Sequence, residues 1–529
     1  MSQLRSANSS RQWYERQHLD QGGRNDGALK ADMPRVAGDP IAGNTTELAG
    51  LSVILATYEL GEEFFGETCY GELNQIGPVA LIGLLVFGAM RMVRRDSRSL
   101  WLGLFWFRIA TAVYFGIGSL VPLYANIQTK LYIDAFHPAS PDQVFKLNVI
   151  VTSGVLIALA AAGASAALLR PASRPRSLRS NDATLLRAGL TFEAIGFATK
   201  YFVLLPLAFG SFGEATLPGI VLSLGLLSHV GVYLLTLYML RGRRSLLPLI
   251  AVLVAVELAA GAVQFNKSEA TLTTLMVLLA ILTDQVSLPR LAFSVGALLL
   301  LYSVLVPLTD YGRNALSGRY NSIVAGTLEE RLDLVWQFAN GKAEAATEDD
   351  VQRSWVRISY TNAGTFAISE YDNGRPGPSL DLAAAALIPR VLWPDKPNLT
   401  DIAIVFNTLA TGNLQSSTSP GLFAEGYWAM GWLGLPVLML PLGVVLTVIS
   451  RYGIWIISTG RWWFFPLALL AMRMGLRVVD GFYVPDVIGP SATLLVVGLF
   501  ARTLEQVLGA RRGQPALQKP AIARRRTLP

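Results

Sequence analysis

Residues Val149–Leu169 read VIVTSGVLIALAAAGASAALL, 21 consecutive positions without one charged side chain. A helix rises about 1.5 Å per residue, so about 20 apolar residues cross the hydrocarbon core of a bilayer. Similar apolar blocks recur along the chain, among them 77–88, 217–240, 291–308 and 433–449. This stretch predicts a membrane-spanning helix, and its repetition predicts an all-α polytopic transmembrane bundle.

The composition excludes a water-soluble enzyme. Of the 529 residues, 52% are hydrophobic and only 15% are charged, whereas soluble domains carry about 25% charged residues. The single cysteine, Cys69, forms no intrachain disulfide, and the three histidines are far apart in sequence. We therefore expect no metal site and no cofactor. The net charge of +7 comes from short runs beside apolar blocks, which disfavours a nucleic-acid partner.

Hydropathy predicts eleven spans, with a twelfth in question. The eleven lie at about 76–93, 100–122, 146–169, 186–209, 216–240, 246–264, 270–287, 290–309, 426–450, 461–481 and 487–506. Arginine clusters occupy every second connection: Arg91, Arg94, Arg95 and Arg98; Arg170, Arg174, Arg176 and Arg179; Arg241, Arg243 and Arg244; Arg451 and Arg461; and the C-terminal Arg511, Arg512 and Arg524–Arg526. Because arginine-rich connections stay in the cytoplasm, the connection at 310–425 faces the other side.

The chain divides into five parts. We expect a disordered polar tail at 1–48, an N-terminal transmembrane bundle at 49–309, a large periplasmic loop at 310–425, C-terminal transmembrane helices at 426–506 and a basic cytoplasmic tail at 507–529. The apolar run near 51–58 is short and is followed by glutamates. It is either a poor twelfth or re-entrant span, or an interfacial helix.

The long outer loop has helical pattern of its own. Leu328, Leu332 and Val335 recur at helical spacing and predict an amphipathic helix. A second helix is predicted from Ser379 to Ala386, where it stops before a proline. A loop of more than 100 residues calls for a functional explanation, and we expect it to fold onto the mouth of the bundle.

Two loop motifs present charged and aromatic side chains. The first, IPRVLWPDKP at 388–397, holds Arg390, Trp393, Asp395 and Lys396 on a path stiffened by three prolines. It is either an interfacial segment that touches lipid headgroups or a rigid holder for an anionic ligand. The second, SSTSPGLFAEGYW at 416–428, leads into a span and carries Glu425, which is either a solvated carboxylate at a helix start or a general base.

A third motif places charge inside a predicted span. Arg473 and Arg477 are four residues apart and share a helix face, with Asp480 one turn further on. Such arginines usually face a polar cavity and are functional by default. They either form an internal ion pair with Asp480 or bind an anion such as a diphosphate. Other isolated charges, Arg108, Glu193, Lys200, Glu257 and Asp284, are expected to pair across helices, and His229 to be a hydrogen-bonded interhelical residue.

The sequence PRVLWPDKP at 389–397, followed by SPGLFAEGYW at 419–428 and a glycine-rich span, resembles the Wzy-type polymerases of bacterial O-antigens and exopolysaccharides. The plan of about a dozen spans with one large late periplasmic loop is also similar. The motifs cover about 350–480, and residues 1–75 have no counterpart. The resemblance implies a GT-C-like glycosyltransferase of the inner membrane, which polymerises undecaprenyl-diphosphate-linked repeat units by inverting transfer without a metal.

Within that resemblance, the chemistry assigns expected roles. The departing diphosphate needs preorganised cations, and the candidates for its site are Arg473, Arg477, Arg390, Lys396 and Arg357. The acceptor hydroxyl needs a base, for which Glu425 is the first choice and Asp395 the second. Trp393 and Tyr427 are the candidates for sugar binding. The expected partners are the lipid-linked glycan, membrane lipid and a chain-length-regulating co-polymerase.

Two alternatives remain open. A related O-antigen ligase shares the plan, although we associate a periplasmic-loop histidine with such ligases and this loop has none. A flippase for lipid-linked oligosaccharides is the other, although the sequence shows no internal repeat and transport does not require so large a loop.

Overall fold

The computed structural model describes residue 41 and residues 44–169, 182–209, 219–284, 286–320, 326–341, 355–388, 392–393, 395–414 and 416–509. Within these ranges the chain is helical and contains no strand. Nine stretches are long and apolar enough to span a membrane. The prediction of an all-α, multi-pass membrane protein is therefore confirmed. Most of the N-terminal tail, the C-terminal tail from 510 onward and Arg390 lie outside the described residues.

The helices are numbered here in chain order. The first group is α1 (Thr45–Phe65), α2 (Tyr70–Arg95), α3 (Gly103–Tyr124), α4 (Ile127–Asp134), α5 (Pro141–Leu168), α6 (Asp182–Ala208), α7 (Val221–Leu240), α8 (Leu247–Val263), α9 (Lys267–Asp284) and α10 (Leu288–Tyr320). The outer loop contributes α11 (Leu328–Ala339), α12 (Thr361–Asp372), α13 (Ala383–Leu387) and α14 (Asp401–Thr411). The last group is α15 (Leu422–Met430), α16 (Gly434–Thr459), α17 (Phe465–Arg477) and α18 (Gly489–Leu504).

Helices α1 and α2 form an antiparallel hairpin. The chain reverses at Gly66, whose φ of 56° favours glycine. A Cβ on Gly77 would lie 1.6 Å from the Tyr58 hydroxyl, and one on Gly88 would lie 2.5 Å from the Glu47 carboxyl carbon. The two helices are thus in contact along their length. The short apolar run near 51–58 is therefore part of a 21-residue helix with the length of a span.

A buried ion pair ties this hairpin to α3. The Nε atom of Arg108 lies 2.7 Å from Oε2 of Glu47, and the two side chains are only 2% and 3% exposed. The guanidinium also donates to the carbonyl of Leu104. The expectation that Arg108 pairs across helices is borne out, and its partner is in the first turn of α1.

The outer boundaries of two helices differ from those that hydropathy predicts. Helix α10 continues through Asp310 to Tyr320. Hydropathy marks only where the side chains become polar at the bilayer surface, and the helical backbone can continue beyond that point. Helix α15 begins at Leu422 and so contains Glu425. A short turn at Gly431–Leu433 then separates it from α16.

The outer loop packs on the bundle. Helix α11 forms where the amphipathic pattern predicts it, and Thr327 and Glu330 cap its start reciprocally. The second predicted helix is shorter than expected, because only Ala383–Leu387 is helical. Helix α12 is buried against α5 and α15, and a Cβ on Gly364 would meet Leu147 at 3.0 Å. The loop therefore covers the outer ends of these helices, as expected.

We predict that Arg108→Met lowers the thermal stability of the purified protein. The substitution leaves the Glu47 carboxylate buried and unpaired, and breaking a buried pair in this way typically costs about 3–5 kcal/mol. Thermal unfolding in detergent measures the change. The matched control is Arg91→Met, which removes an exposed hydrogen bond to Thr46. Equal melting temperatures for the two variants would contradict the assigned role of the pair.

Candidate functional site

The segment between α17 and the helical turn Val484–Ile488, residues 478–483, is called the outer connector here. It is held against the start of α15 by two hydrogen bonds. The backbone N–H of Leu422 donates to the carbonyl of Val479 at 3.2 Å, and the Ser419 hydroxyl donates to the carbonyl of Gly481 at 2.9 Å. The second loop motif and the arginine motif thus meet at one place.

Glu425 lies behind the outer connector. Its side chain is fully buried, and its Oε2 atom accepts a hydrogen bond of 2.6 Å from the backbone N–H of Tyr483. The Ser379 side chain lies near the carboxyl group, but the other oxygen, Oε1, has no hydrogen-bond partner among the described residues. The carboxylate predicted to be the base therefore fastens α15 to the outer connector and does not reach solvent in this conformation.

Arg477 lies at the surface of the same region, and Asp480 lies beside it with a side chain that is only 16% exposed. The Nε atom of Arg477 is 3.7 Å from Oδ1 of Asp480, and the arginine side chain is 56% exposed. Tyr114 from α3 lies against the Asp480 carboxylate, and Tyr360 stacks edge-on to Tyr114 with ring centroids 5.5 Å apart. Burial raises the pKa of Tyr360 well above its usual value, so this phenol stays protonated.

Asp486 joins this group from the opposite side of the connector. Its Oδ2 atom accepts a hydrogen bond of 3.1 Å from the backbone N–H of Phe482. A Cβ on Gly481 would lie 2.0 Å from that oxygen, so only glycine leaves room for it. Asp486 interacts electrostatically with both Arg473 and Arg477. The positive surplus expected of the two arginines is therefore balanced by two aspartates.

A second cationic group lies at the outer ends of α9 and α10. Arg357 forms an ion pair of 3.0 Å with Asp310, and Arg313 donates to the carbonyl of Phe265 at 3.0 Å. The Nζ atom of Lys267 is 5.2 Å from the ring centroid of Tyr302. Lys267 interacts electrostatically with Arg313, Arg357 and Asp310, so three cations share one carboxylate here.

Tyrosine side chains connect the two groups. Tyr114 interacts with Arg477 and Asp480 on one side and with Tyr302 on the other, and Tyr302 interacts with Arg357 and Asp310. We call the combined set the outer mouth. Its charged members are Arg473, Arg477, Lys267, Arg313 and Arg357 against Asp480, Asp486 and Asp310. Because Arg473 also faces Glu269 in the bundle, the other four cations face three carboxylates and leave one positive charge, which suits an anionic group such as a diphosphate.

The first loop motif is only partly associated with this site. The ammonium group of Lys396 donates to the carbonyls of Ile388 and Ala386 at 2.9 and 3.4 Å, where it caps the C-terminal end of α13. Helix α13 packs against the turn Val484–Ile488, which carries Asp486. Asp395 and Trp393 are exposed. The motif thus lies beside the outer mouth, with its lysine already bound to backbone.

Tyr427 is enclosed. It is 4% exposed, and its hydroxyl donates to Asp372 at 2.9 Å. Lys146 lies 4.8 Å from its ring centroid, and Tyr371 and Trp432 pack edge-on against it. No face of this ring is free to stack on a sugar in this conformation.

One group of side chains has the spacing of metal ligands. His229, Glu257 and Glu269 each place one donor atom within 4.8 Å of the others. The ammonium group of Lys200, however, is hydrogen-bonded to both carboxylates, so a cation already occupies the position between them. We assign no metal to this group.

Sequence reasoning missed Lys267, Arg313 and Asp486 as members of the site. Arg313 stands three residues after Asp310, and the helical spacing would have paired them if α10 had been extended past the apolar run. Lys267 begins a helix directly after an apolar block. A lysine in that position indicates that the chain has reached the bilayer surface. Nothing in the sequence indicates that Asp486 turns back toward Arg473, because that follows from the outer connector.

Comparison with known proteins leaves the function open. Residues 215–454, just under half of the chain, match a family described as a domain of unknown function (DUF8712). No curated protein and no solved structure matches the chain.

We predict that Glu425→Gln folds normally, whereas Glu425→Ala is destabilised. The glutamine keeps an oxygen for the Tyr483 N–H, while the alanine leaves that buried donor unpaired at a cost of about 1–3 kcal/mol and adds a cavity. Melting temperatures in detergent give the comparison. If the alanine variant were as stable as wild type, the anchoring role of Glu425 would be wrong.

Proposed function

We propose that this protein is a glycosyltransferase of the bacterial inner membrane that polymerises undecaprenyl-diphosphate-linked oligosaccharide repeat units on the periplasmic side. Its product would be an O-antigen or an exopolysaccharide. The observation that carries the proposal is the outer mouth, where cations outnumber carboxylates at the end of an apolar bundle. A lipid-linked diphosphate needs both surroundings at once, cations for its headgroup and bilayer for its prenyl chain.

The topology also supports a reaction on the periplasmic side. The outer mouth lies at the end of the bundle opposite the arginine-rich connections, which the positive-inside rule assigns to the cytoplasm. The folded loop from α11 to α14 lies on that end as well. A periplasmic loop beside a cationic mouth supports a reaction on glycans that have already crossed the membrane.

The proposed step is a direct displacement. The acceptor sugar hydroxyl attacks the anomeric carbon of the donor, the bond from that carbon to the diphosphate oxygen breaks, and undecaprenyl diphosphate departs with the bonding electrons. Arg473 and Arg477 stabilise the charge that grows on the departing diphosphate. Lys267 and Arg357 lie close enough to bind a second anionic headgroup, that of the acceptor.

The base needs a carboxylate that substrate can reach. Asp480 fits this requirement better than Glu425, because it borders the exposed Arg477 side chain whereas Glu425 is fully buried. Glu425 acts as the base only if the outer connector opens during the reaction. Asp395, Lys396, Trp393 and Arg390 remain proposed contacts of the loop with the glycan, and a chain-length-regulating co-polymerase remains a proposed partner.

One observation favours the transporter alternative. Lys200 is buried in the bundle and bound to two glutamates, and ionisable residues within a membrane often mark a transport path. A flippase would move the lipid-linked unit without changing its length, so product length distinguishes the two functions. An O-antigen ligase would instead transfer the glycan to a different acceptor lipid.

We predict that Arg477→Ala lowers polymer formation about 10²–10³-fold, the usual loss when one preorganised charge stabiliser is removed. Arg477→Lys should recover only part of the rate, because an ammonium group does not bind phosphate oxygens in a bidentate way. Surface polymer and lipid-linked single units are quantified in cells that express equal amounts of each variant. The matched control is Arg375→Ala, an exposed outer-loop arginine paired with Glu370. Wild-type polymer in the Arg477→Ala cells would remove this residue from the diphosphate site.

We also predict opposite outcomes for two carboxamide variants. Asp480→Asn should lower the rate of transfer by about 10²–10⁴-fold, the usual contribution of a general base, whereas Glu425→Gln should retain most of it. Initial rates with purified protein in detergent give the comparison. A slow Glu425→Gln variant together with a nearly normal Asp480→Asn variant would assign the base role to Glu425 and imply that the outer connector opens.

A further inference from the structure

A second polar cluster lies inside the bundle, on the membrane side of the outer mouth. The ammonium group of Lys200 on α6 is hydrogen-bonded to Glu257 on α8 and, at 2.8 Å, to Glu269 on α9. The Nε2 atom of His229 on α7 is 3.2 Å from the same Glu269 oxygen, and its Nδ1 atom is 3.0 Å from the Thr273 hydroxyl. Four helices therefore contribute to one network, called here the membrane cluster.

The membrane cluster extends from the outer end of α9, where Glu269 follows Lys267 by two residues, to the middle of the bilayer. Glu193 and Glu257 follow the arginine-flanked ends of α6 and α8 by ten or eleven residues, and His229 precedes that end of α7 by a similar number. At about 1.5 Å per residue this is a depth of about 15 Å, half of a hydrocarbon core about 30 Å thick.

Glu193 extends the cluster and has an unsatisfied side chain. It is 7% exposed, and neither of its carboxyl oxygens has a hydrogen-bond partner among the described residues. The Oε1 atom of Glu257 is unpartnered in the same way, and the two groups interact electrostatically. A buried carboxylate without a partner is strongly disfavoured. A single proton on one of these carboxyl groups removes that penalty, because it neutralises the charge.

Glu193 lies at a close contact between α6 and α7. Helices α6 and α7 pack closely, and a Cβ on Gly231 would lie 2.5 Å from Oε2 of Glu193. Gly196 similarly admits the backbone of Ser228, whose nitrogen would lie 2.0 Å from a Cβ there. The two glycines therefore allow the close approach of α6 and α7 that buries Glu193.

The charge balance also lacks one positive charge. Three glutamates, Glu193, Glu257 and Glu269, face Lys200 and, from α17, Arg473, which interacts electrostatically with Glu269. Tyr201 from α6 lies near Glu257 and His229 lies against Glu269; neither adds a fixed positive charge. A divalent metal ion would add two positive charges, one more than the cluster lacks. A proton supplies one charge and needs only one oxygen.

We propose that Glu193 and Glu257 form a proton-binding site at the middle of the membrane, with one proton bound to one of the two carboxyl groups. The site is connected to the outer mouth through charged neighbours, since Lys200 bridges Glu257 to Glu269 and Glu269 interacts with Arg473. Uptake or loss of the proton therefore changes the electrostatic environment of an arginine at the outer mouth. This proposal does not depend on the polymerase activity.

Infrared spectroscopy of the full-length protein in lipid nanodiscs tests the site directly. At neutral pH, the spectrum of wild type minus that of Glu193→Gln should show the carbonyl band of a protonated carboxyl group, and the band should shift in D2O. Glu257→Gln should remove the same band, because the remaining Glu193 carboxylate then pairs with Lys200. The matched control is Glu370→Gln, since Glu370 is buried but ion-paired with Arg375 at 2.6 Å. The control should leave the band unchanged.

Three results would overturn the proposal. The first is a difference spectrum without the band, which would mean that Glu193 is ionised and that His229 carries the missing charge. The second is loss of the band when sodium or zinc chloride is added at constant pH, which would assign the site to a metal cation. The third is a band that persists in both glutamine variants. Should Glu193→Gln fail to fold, Glu193→Asp replaces it and should shift the band frequency without abolishing it.

Discussion

Every charge inside this protein must be compensated within the bilayer, and that constraint organises the bundle. Arg108 is paired with Glu47 at 2.7 Å where α1 meets α3, and Lys200 is bound by two glutamates where α6, α8 and α9 meet. In hydrocarbon an unpaired ion at either place is too costly to retain. These pairs therefore determine which helices are neighbours, while the apolar blocks determine only that the helices span.

The same constraint separates the two polar regions of the molecule. At the outer mouth, cations outnumber carboxylates, and the exposed Arg477 side chain has access to solvent or to an anionic ligand. In the membrane cluster, carboxylates outnumber cations, and Glu193 is buried. Arg473 lies between them, since it interacts with Glu269 on one side and with Asp486 on the other. An anion bound at the mouth and a proton bound in the membrane would therefore act on one arginine.

Much of the fold follows from the sequence, because apolar length and flanking arginines report directly on the bilayer. The candidate site is less well predicted by the sequence. The spacing of Arg473 and Arg477 marks a shared helix face, but the burial of Glu425 depends on the outer connector folding back onto α15. Of the second cationic group the sequence indicates only Arg357, since Lys267 and Arg357 are 90 residues apart and only tertiary packing brings them together. Local periodicity does not predict contacts between residues that are far apart in the sequence.

We propose that the outer mouth joins lipid-linked repeat units to one another. The most direct measurement is incubation of the purified protein with one undecaprenyl-diphosphate-linked repeat unit and no other component, followed by analysis of product length. A polymerase yields a ladder of chains that grow by whole repeat units, with release of undecaprenyl diphosphate. Repeat units that remain single, with no diphosphate carrier released, would contradict it.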